Sequence, residues 1–114
     1  MSIRKPIRKV TVNIEEDKRS FVLEYFILEK ECCLEGSAQN TYGVEVLKRE
    51  KTEQGTLRIE YRKVFDIFCT EQEACIAANI LADNTVTPVS VHDVIEQFIG
   101  TDEIEYEEYE ILAV

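Results

Sequence analysis

At 114 residues the chain has the length of one ordinary domain, and a domain of that size needs neither disulfides nor metal to build a core. Its composition, 45% apolar and 32% charged with few Gly and two Pro, is that of a globular protein rather than a low-complexity one. A net charge of −10 repels phosphates, so no nucleic-acid and no membrane partner is expected; the charge is read first as a source of solubility, with a basic protein partner as the alternative.

The opening MSIRKPIRKVTVNI has basic residues but no apolar run of signal-peptide type, and the longest near-apolar stretch, residues 74–82, is too short to cross a bilayer. The chain is therefore expected to be soluble and cytoplasmic, with its four cysteines as reduced thiols. Residues 8–14 alternate, with Val10, Val12 and Ile14 on one face, as in a half-buried strand. EEDKRS, residues 15–20, is a polar turn in which Glu15, Glu16 and Asp17 have a solvating role. Residues 21–29 form the strongest predicted strand: Phe21, Leu23, Tyr25 and Ile27 line one face, and Val22, Phe26 and Leu28 most of the other. A run apolar on both sides suggests a strand covered on both.

EGSAQN, residues 35–40, reads as a loop. Residues 42–49 alternate again through Tyr42, Val44 and Val46, with Leu47 out of phase. Gly55 suits a left-handed turn position before a further strand carrying Leu57, Ile59 and Tyr61. The alternation slips at Lys63 and Val64, where a bulge is expected. Short links between these runs predict an antiparallel meander.

The period changes at Thr70. TEQE is a capping box, with Thr70 as N-cap and Glu73 reaching back, and it opens a helix running to about Asp83. Its apolar stripe holds Ala74, Ala77, Ala78, Ile80 and Leu81, and its narrow polar strip predicts cover on more than one side. NTVTPV is a turn. Ser90 is placed as cap of a second helix ending near Ile99, with Gly100 as its stop and Val91, Val94, Ile95, Phe98 and Ile99 as its buried stripe. Residues 101–114, TDEIEYEEYEILAV, are acidic but interleaved with Ile104, Tyr106, Tyr109, Ile111 and Leu112. Arg4, Lys5, Arg8 and Lys9 at the other end are basic, so the tail is expected to fold back as an added edge strand near the N-terminal strand, of the same chain or of a dimer mate; the alternative is a free tail and a solvated N-terminus.

The chemistry-bearing residues converge poorly. Cys32 and Cys33 are adjacent, and Cys69 and Cys75 have five residues between them, unlike the paired short knuckles that aim four sulfurs at one zinc ion. Cys69 sits before a helix N-terminus, but Glu71 and Glu73 oppose a thiolate there. All four cysteines are expected to pack as small apolar residues. His92 and Asp93 are neighbours on a helix, where adjacent side chains diverge, so they are not an orienting acid–base pair. No Gly-rich phosphate loop, nucleophile elbow or metal-protease motif occurs. No catalytic, cofactor-binding or metal-ligating residue is assigned.

Residues 64–100, VFDIFCTEQEACIAANILADNTVTPVSVHDVIEQFIG, carry the most character, above all the block at 86–99. This segment resembles a small domain family of clostridia-like Gram-positive bacteria described only as a domain of unknown function. The resemblance implies an intracellular bacterial protein and supplies no activity.

The expected architecture is an α+β domain over residues 1–100, an antiparallel meander of four or five strands with two C-terminal helices on one face, followed by the acidic tail. The leading function is a small non-enzymatic interaction or regulatory protein, with a protein partner or a homodimer. The alternative is a small-molecule-binding or catalytic domain with a pocket between helices and sheet. A thiol or metal protein would require three or more sulfurs within ligand reach.

Overall fold

The computed structural model describes residues 2–16, 18–34, 36–99 and 106–113. Strands β1 (Ser2–Ile14), β2 (Arg19–Leu34), β3 (Ser37–Lys51) and β4 (Leu57–Phe68) are followed by helices α1 (Glu71–Asp83) and α2 (Pro88–Ile99), and then by β5 (Tyr106–Ala113). All five strands form one antiparallel sheet in the order β1-β2-β3-β4-β5, an α+β meander with both helices on one face.

Alternation and turn chemistry account for the strands. The register pairs Val10 with Leu23 and Val12 with Phe21, then Tyr25 with Val46 and Ile27 with Val44, and Val44 with Val64. These residues make the helix-facing side of the sheet, and all of those on β2, β3 and β4 are buried. β2 is apolar on both faces, as its sequence predicts: Phe26 and Leu28 are buried on the opposite side. At the β3–β4 turn Gly55 takes φ +84°. There the Thr52 hydroxyl accepts from the Thr56 amide at 3.1 Å.

Four local expectations are corrected. EGSAQN is not a loop. The pairing of Leu34 with Ser37 leaves only positions 35 and 36 as the connection, with Gly36 at φ +80°, and two-residue hairpins favour such residues. Leu47, out of phase with Val44 and Val46 as read, is not misplaced; it is buried on the face away from the helices. The bulge follows Val64 instead of including Lys63. Lys63 and Val64 pair in register, but from Val64 to Phe68 β4 takes four residue steps where β3 takes two, from Val44 to Tyr42. Asp66 absorbs the extra chain at φ 55°. Beside it β4 presses so closely on β3 that a Cβ on Gly43 would lie 2.0 Å from the Val64 carbonyl oxygen. Finally, α2 begins at Pro88, not after Ser90. A proline is well tolerated in a first turn, where its missing N–H has no intrahelical partner to lose.

Helix α1 starts at the predicted cap. The Thr70 hydroxyl accepts from the Glu73 amide at 3.2 Å and contacts the Glu73 carboxylate at 3.0 Å. Ala74, Ala77, Ala78, Leu81 and Ala82 are buried against the sheet, and small residues allow that close approach. Val91 and Ile95 bury the first turns of α2; the side chains of Phe98 and Ile99, and Gly100, lie outside the described residues. The Tyr25 hydroxyl donates to the Val86 carbonyl at 2.9 Å, tying the α1–α2 link to the core.

Tyr106–Ala113 of the tail form a strand, but not beside β1 of its own chain. β5 pairs antiparallel with β4, setting Arg62 opposite Glu108 and Lys63 opposite Glu107. β4 therefore offers the acidic strand the cations that the sequence suggested at the N-terminus. It is also nearer in the fold, because α2 packs on β3 and β4 whereas α1 lies toward β1 and β2. Ile104, and the side chains of Tyr106, Tyr109, Ile111 and Leu112, lie outside the described residues.

Candidate functional site

The sequence-predicted residues do not assemble into one centre. Cys69, at the end of β4, is exposed and Cys75, on α1, is half-buried. The expectation of buried packing is thus wrong for Cys69, because β4 has left the sheet and the helix has not yet docked. The Cys75 sulfur lies 3.7 Å from the Asn79 amide nitrogen. The side chains of Cys32 and Cys33 lie outside the described residues. His92 Nδ1 is 3.9 Å from Asp93 Oδ1 and 3.9 Å from Glu96 Oε2. Both separations exceed a hydrogen bond, and Asp93 is 80% exposed. His92 and Glu96, four positions apart, share a helix surface, as do Asp93 and Glu96, three apart, and this is not by itself a metal centre.

The more informative surface belongs to α1. Ile76 is 54% and Ile80 36% exposed, so the side of the helix expected to be covered is open. One helical turn apart, the two isoleucines line a groove of about 230 Å³ together with Phe68, Ala77 and Glu73. Phe68 reaches it from the end of β4, and Glu73 stands at its rim, held by the cap. The signal in the sequence was the width of the apolar stripe on α1. A wide stripe predicts apolar surface beyond what one sheet contact can cover, and here part of it faces outward.

Charge is segregated around this groove. Residues 71–99 contain Glu71, Glu73, Asp83, Asp93 and Glu96 but no Lys or Arg. Two of these acids are answered from β1. Lys5 donates to Glu71 at 2.8 Å, which raises the lysine pKa above its usual value, and Arg8 donates to Asp83. Past the helices the same face of the sheet carries paired charges: Arg19 forks onto Glu50 at 2.7 and 2.9 Å. That fork holds the Glu50 carboxyl below its ordinary pKa, against the opposing effect of burial. The Arg62 guanidinium donates to the Val89 carbonyl at 3.2 Å, joining β4 to α2.

The opposite face of the sheet is built differently. Glu45 is 2% exposed in its centre and is held by Arg4 at 2.7 Å and 3.1 Å, a bidentate pair. The same guanidinium lies over the Phe26 ring, 3.7 Å from its centroid.

A family model covers residues 5–101, which takes in β1 from Lys5 onward, β2 to β4 and both helices. The chain belongs to the family of unknown function DUF6514. The α1 groove and the open face beyond Arg4 fall inside the DUF6514 span, whereas β5 lies outside it. No curated protein and no solved structure matches the chain. No helix among the described residues is long and apolar enough to cross a membrane.

Proposed function

We propose that this DUF6514 protein is a small, non-enzymatic interaction or regulatory protein of the bacterial cytoplasm, and that its helical layer receives a basic partner protein. The observation that carries the reading is the α1 groove: exposed Ile76 and Ile80 beside Phe68, in a layer with five acids and no Lys or Arg. Exposed apolar anchors with a carboxylate, Glu73, beside them are the ordinary makings of a protein contact. The rival reading, a small-molecule-binding or catalytic domain, would use the same groove. Its volume of about 230 Å³ falls below the roughly 300–1,000 Å³ of small-molecule sites and suits one or two side chains of a partner.

The test is affinity capture from the native host with the wild-type chain and with an Ile76→Asp, Ile80→Asp variant. Both substitutions fall at exposed positions, so the melting curve should change little. The expected result is a partner of basic composition that the wild type retains and the variant loses. Identical capture by the two proteins, with both folded, would reject the groove as the contact.

A further inference from the structure

We infer that the open face of the sheet is a second docking surface, and that its partner is an acidic polypeptide segment with interleaved apolar residues. The strand register places Arg4, Lys9, Lys30, Arg49, Lys51 and Lys63 on this face, and among the described residues of β1 to β4 the carboxylates that meet them are Glu24, Glu45 and Asp66 of the bulge. In a chain of net charge −10, this is a local reversal of sign. Three of the cations already pair with a carboxylate. Arg4 holds Glu45 at 2.7 Å and Arg49 meets Glu24 at 3.2 Å. Lys30 reaches Asp66 of the bulge at 3.5 Å. Lys9 and Lys51 are exposed, and among the described residues neither has a carboxylate within ion-pair reach. Between Lys9 on β1 and Lys63 on β4 runs an apolar band of Val22, Leu47, Ile59 and Tyr61, buried or half-buried.

Charge complementarity selects the occupant. A second copy of the chain apposed face to face would bring the same six cations together and is disfavoured by like-charge repulsion. A nucleic acid would need ring faces on which bases can stack. Phe26 is buried with Arg4 over its ring, and Lys63 stands over Tyr61 at 5.3 Å. The net charge of the whole chain also repels a long polyanion. An acidic peptide brings few charges, matches the two open lysines, and can lay aliphatic or aromatic side chains on the apolar band.

This inference rests on reading the chain as an interaction protein, but it concerns the face opposite the α1 groove. The probe is a short synthetic peptide alternating glutamate with leucine and tyrosine, titrated into the full-length chain and followed by amide chemical shifts. Expected are shifts on β1 to β4 at the open face, and affinity that falls as salt rises. A Lys9→Gln, Lys51→Gln variant should bind about fivefold more weakly, as the loss of two exposed charge contacts implies. Lys5→Gln, which the register sets opposite Ile27 on the helix-covered face, should bind as the wild type does. Melting curves of both variants establish that they are folded. Undiminished binding by the double lysine variant, shifts confined to α1 and α2, or tighter binding of a thymidine oligonucleotide to the same strands would each overturn the proposal. The Ile76→Asp, Ile80→Asp variant separates the two readings. It should lose its captured partner yet keep the peptide, and a failure of either site alone leaves the other standing.

Discussion

On the helix-covered face of the sheet, Leu23, Tyr25, Val44, Val46 and Val64 lie beneath Leu81 and Ile95, with the only polar group among them, the Tyr25 hydroxyl, satisfied by Val86. On the open face Phe26, Leu28 and Leu47 are also buried, yet they stand apart from that core and no helix covers them. Their shelter comes from long neighbours in the sheet, as where Arg4 lies over Phe26 while its fork holds Glu45. Long cationic side chains can shield apolar surface with their stems and keep the charge outward. One face is thus sealed by a second layer of structure and the other by side chains that can move aside for a partner.

The largest test of this contrast is truncation. Leu81→Ala or Ile95→Ala removes a fully buried side chain between two layers that cannot close the gap, and should cost roughly 2–5 kcal/mol in chemical denaturation. Leu47→Ala on the open face should cost less, because its neighbours are free to collapse. Equal losses at the two sites would erase the distinction. Overfilling comes next. Ala78→Leu places extra methylenes where α1 meets the sheet and should cost about 1–3 kcal/mol. An unmoved denaturation midpoint would mean the two layers are not tightly apposed.

For the open face the sharper variant is Arg4→Ala, which strands the Glu45 carboxylate, 2% exposed, without its partner. Arg4 is itself 42% exposed, so solvent screens much of the pair and the loss should be about 1–2 kcal/mol, below that of a fully buried ion pair. Arg4→Met with Glu45→Leu should recover most of it. A double variant as unstable as Arg4→Ala would point to a role for the pair beyond neutralising the charge.

Tyr25→Phe deletes one buried hydrogen bond, for a loss of about 1 kcal/mol, and it also changes the alkaline limb. Burial pushes the Tyr25 pKa up from 10.0 to about 12. The folded state therefore keeps a proton that the unfolded chain releases, and stability is lost as pH rises from 10 toward 12. The phenylalanine variant should show a shallower loss over that range in pH-dependent thermal melts. The smallest effect is expected at Glu50, whose folded pKa is depressed below 4.5 by Arg19. Its contribution is present above that value and is lost as pH falls through the folded pKa. Glu50→Gln should therefore flatten the acid side of the stability profile, and an unchanged acid slope would show the fork to be energetically idle.

Local periodicity and local caps account for what could be read from the chain alone. The alternation of Phe21 to Ile27, the Thr70 cap, the left-handed Gly55 and the end of α1 at Asp83 each depend on residues a few positions apart, so one stretch of sequence contains the whole cause. The meander and the two-helix layer then follow from short links and apolar stripes. Tertiary structure decided the rest. Both β1 and β4 carry cations that suit the acidic tail, and only the position of α2 over β3 and β4 selects β4 as its neighbour. Gly43 has no special turn to mark it, and its need is set by the Val64 backbone of another strand. The apolar breadth of α1 was legible, but not which side would stay open: Ile80 belongs to the same stripe as Leu81, and only docking against the sheet buries one and leaves the other exposed. The basic open face is still less visible in sequence. Its six cations are scattered from Arg4 to Lys63 among carboxylates, and they gather on one side only when register turns alternate positions on four strands toward the same surface.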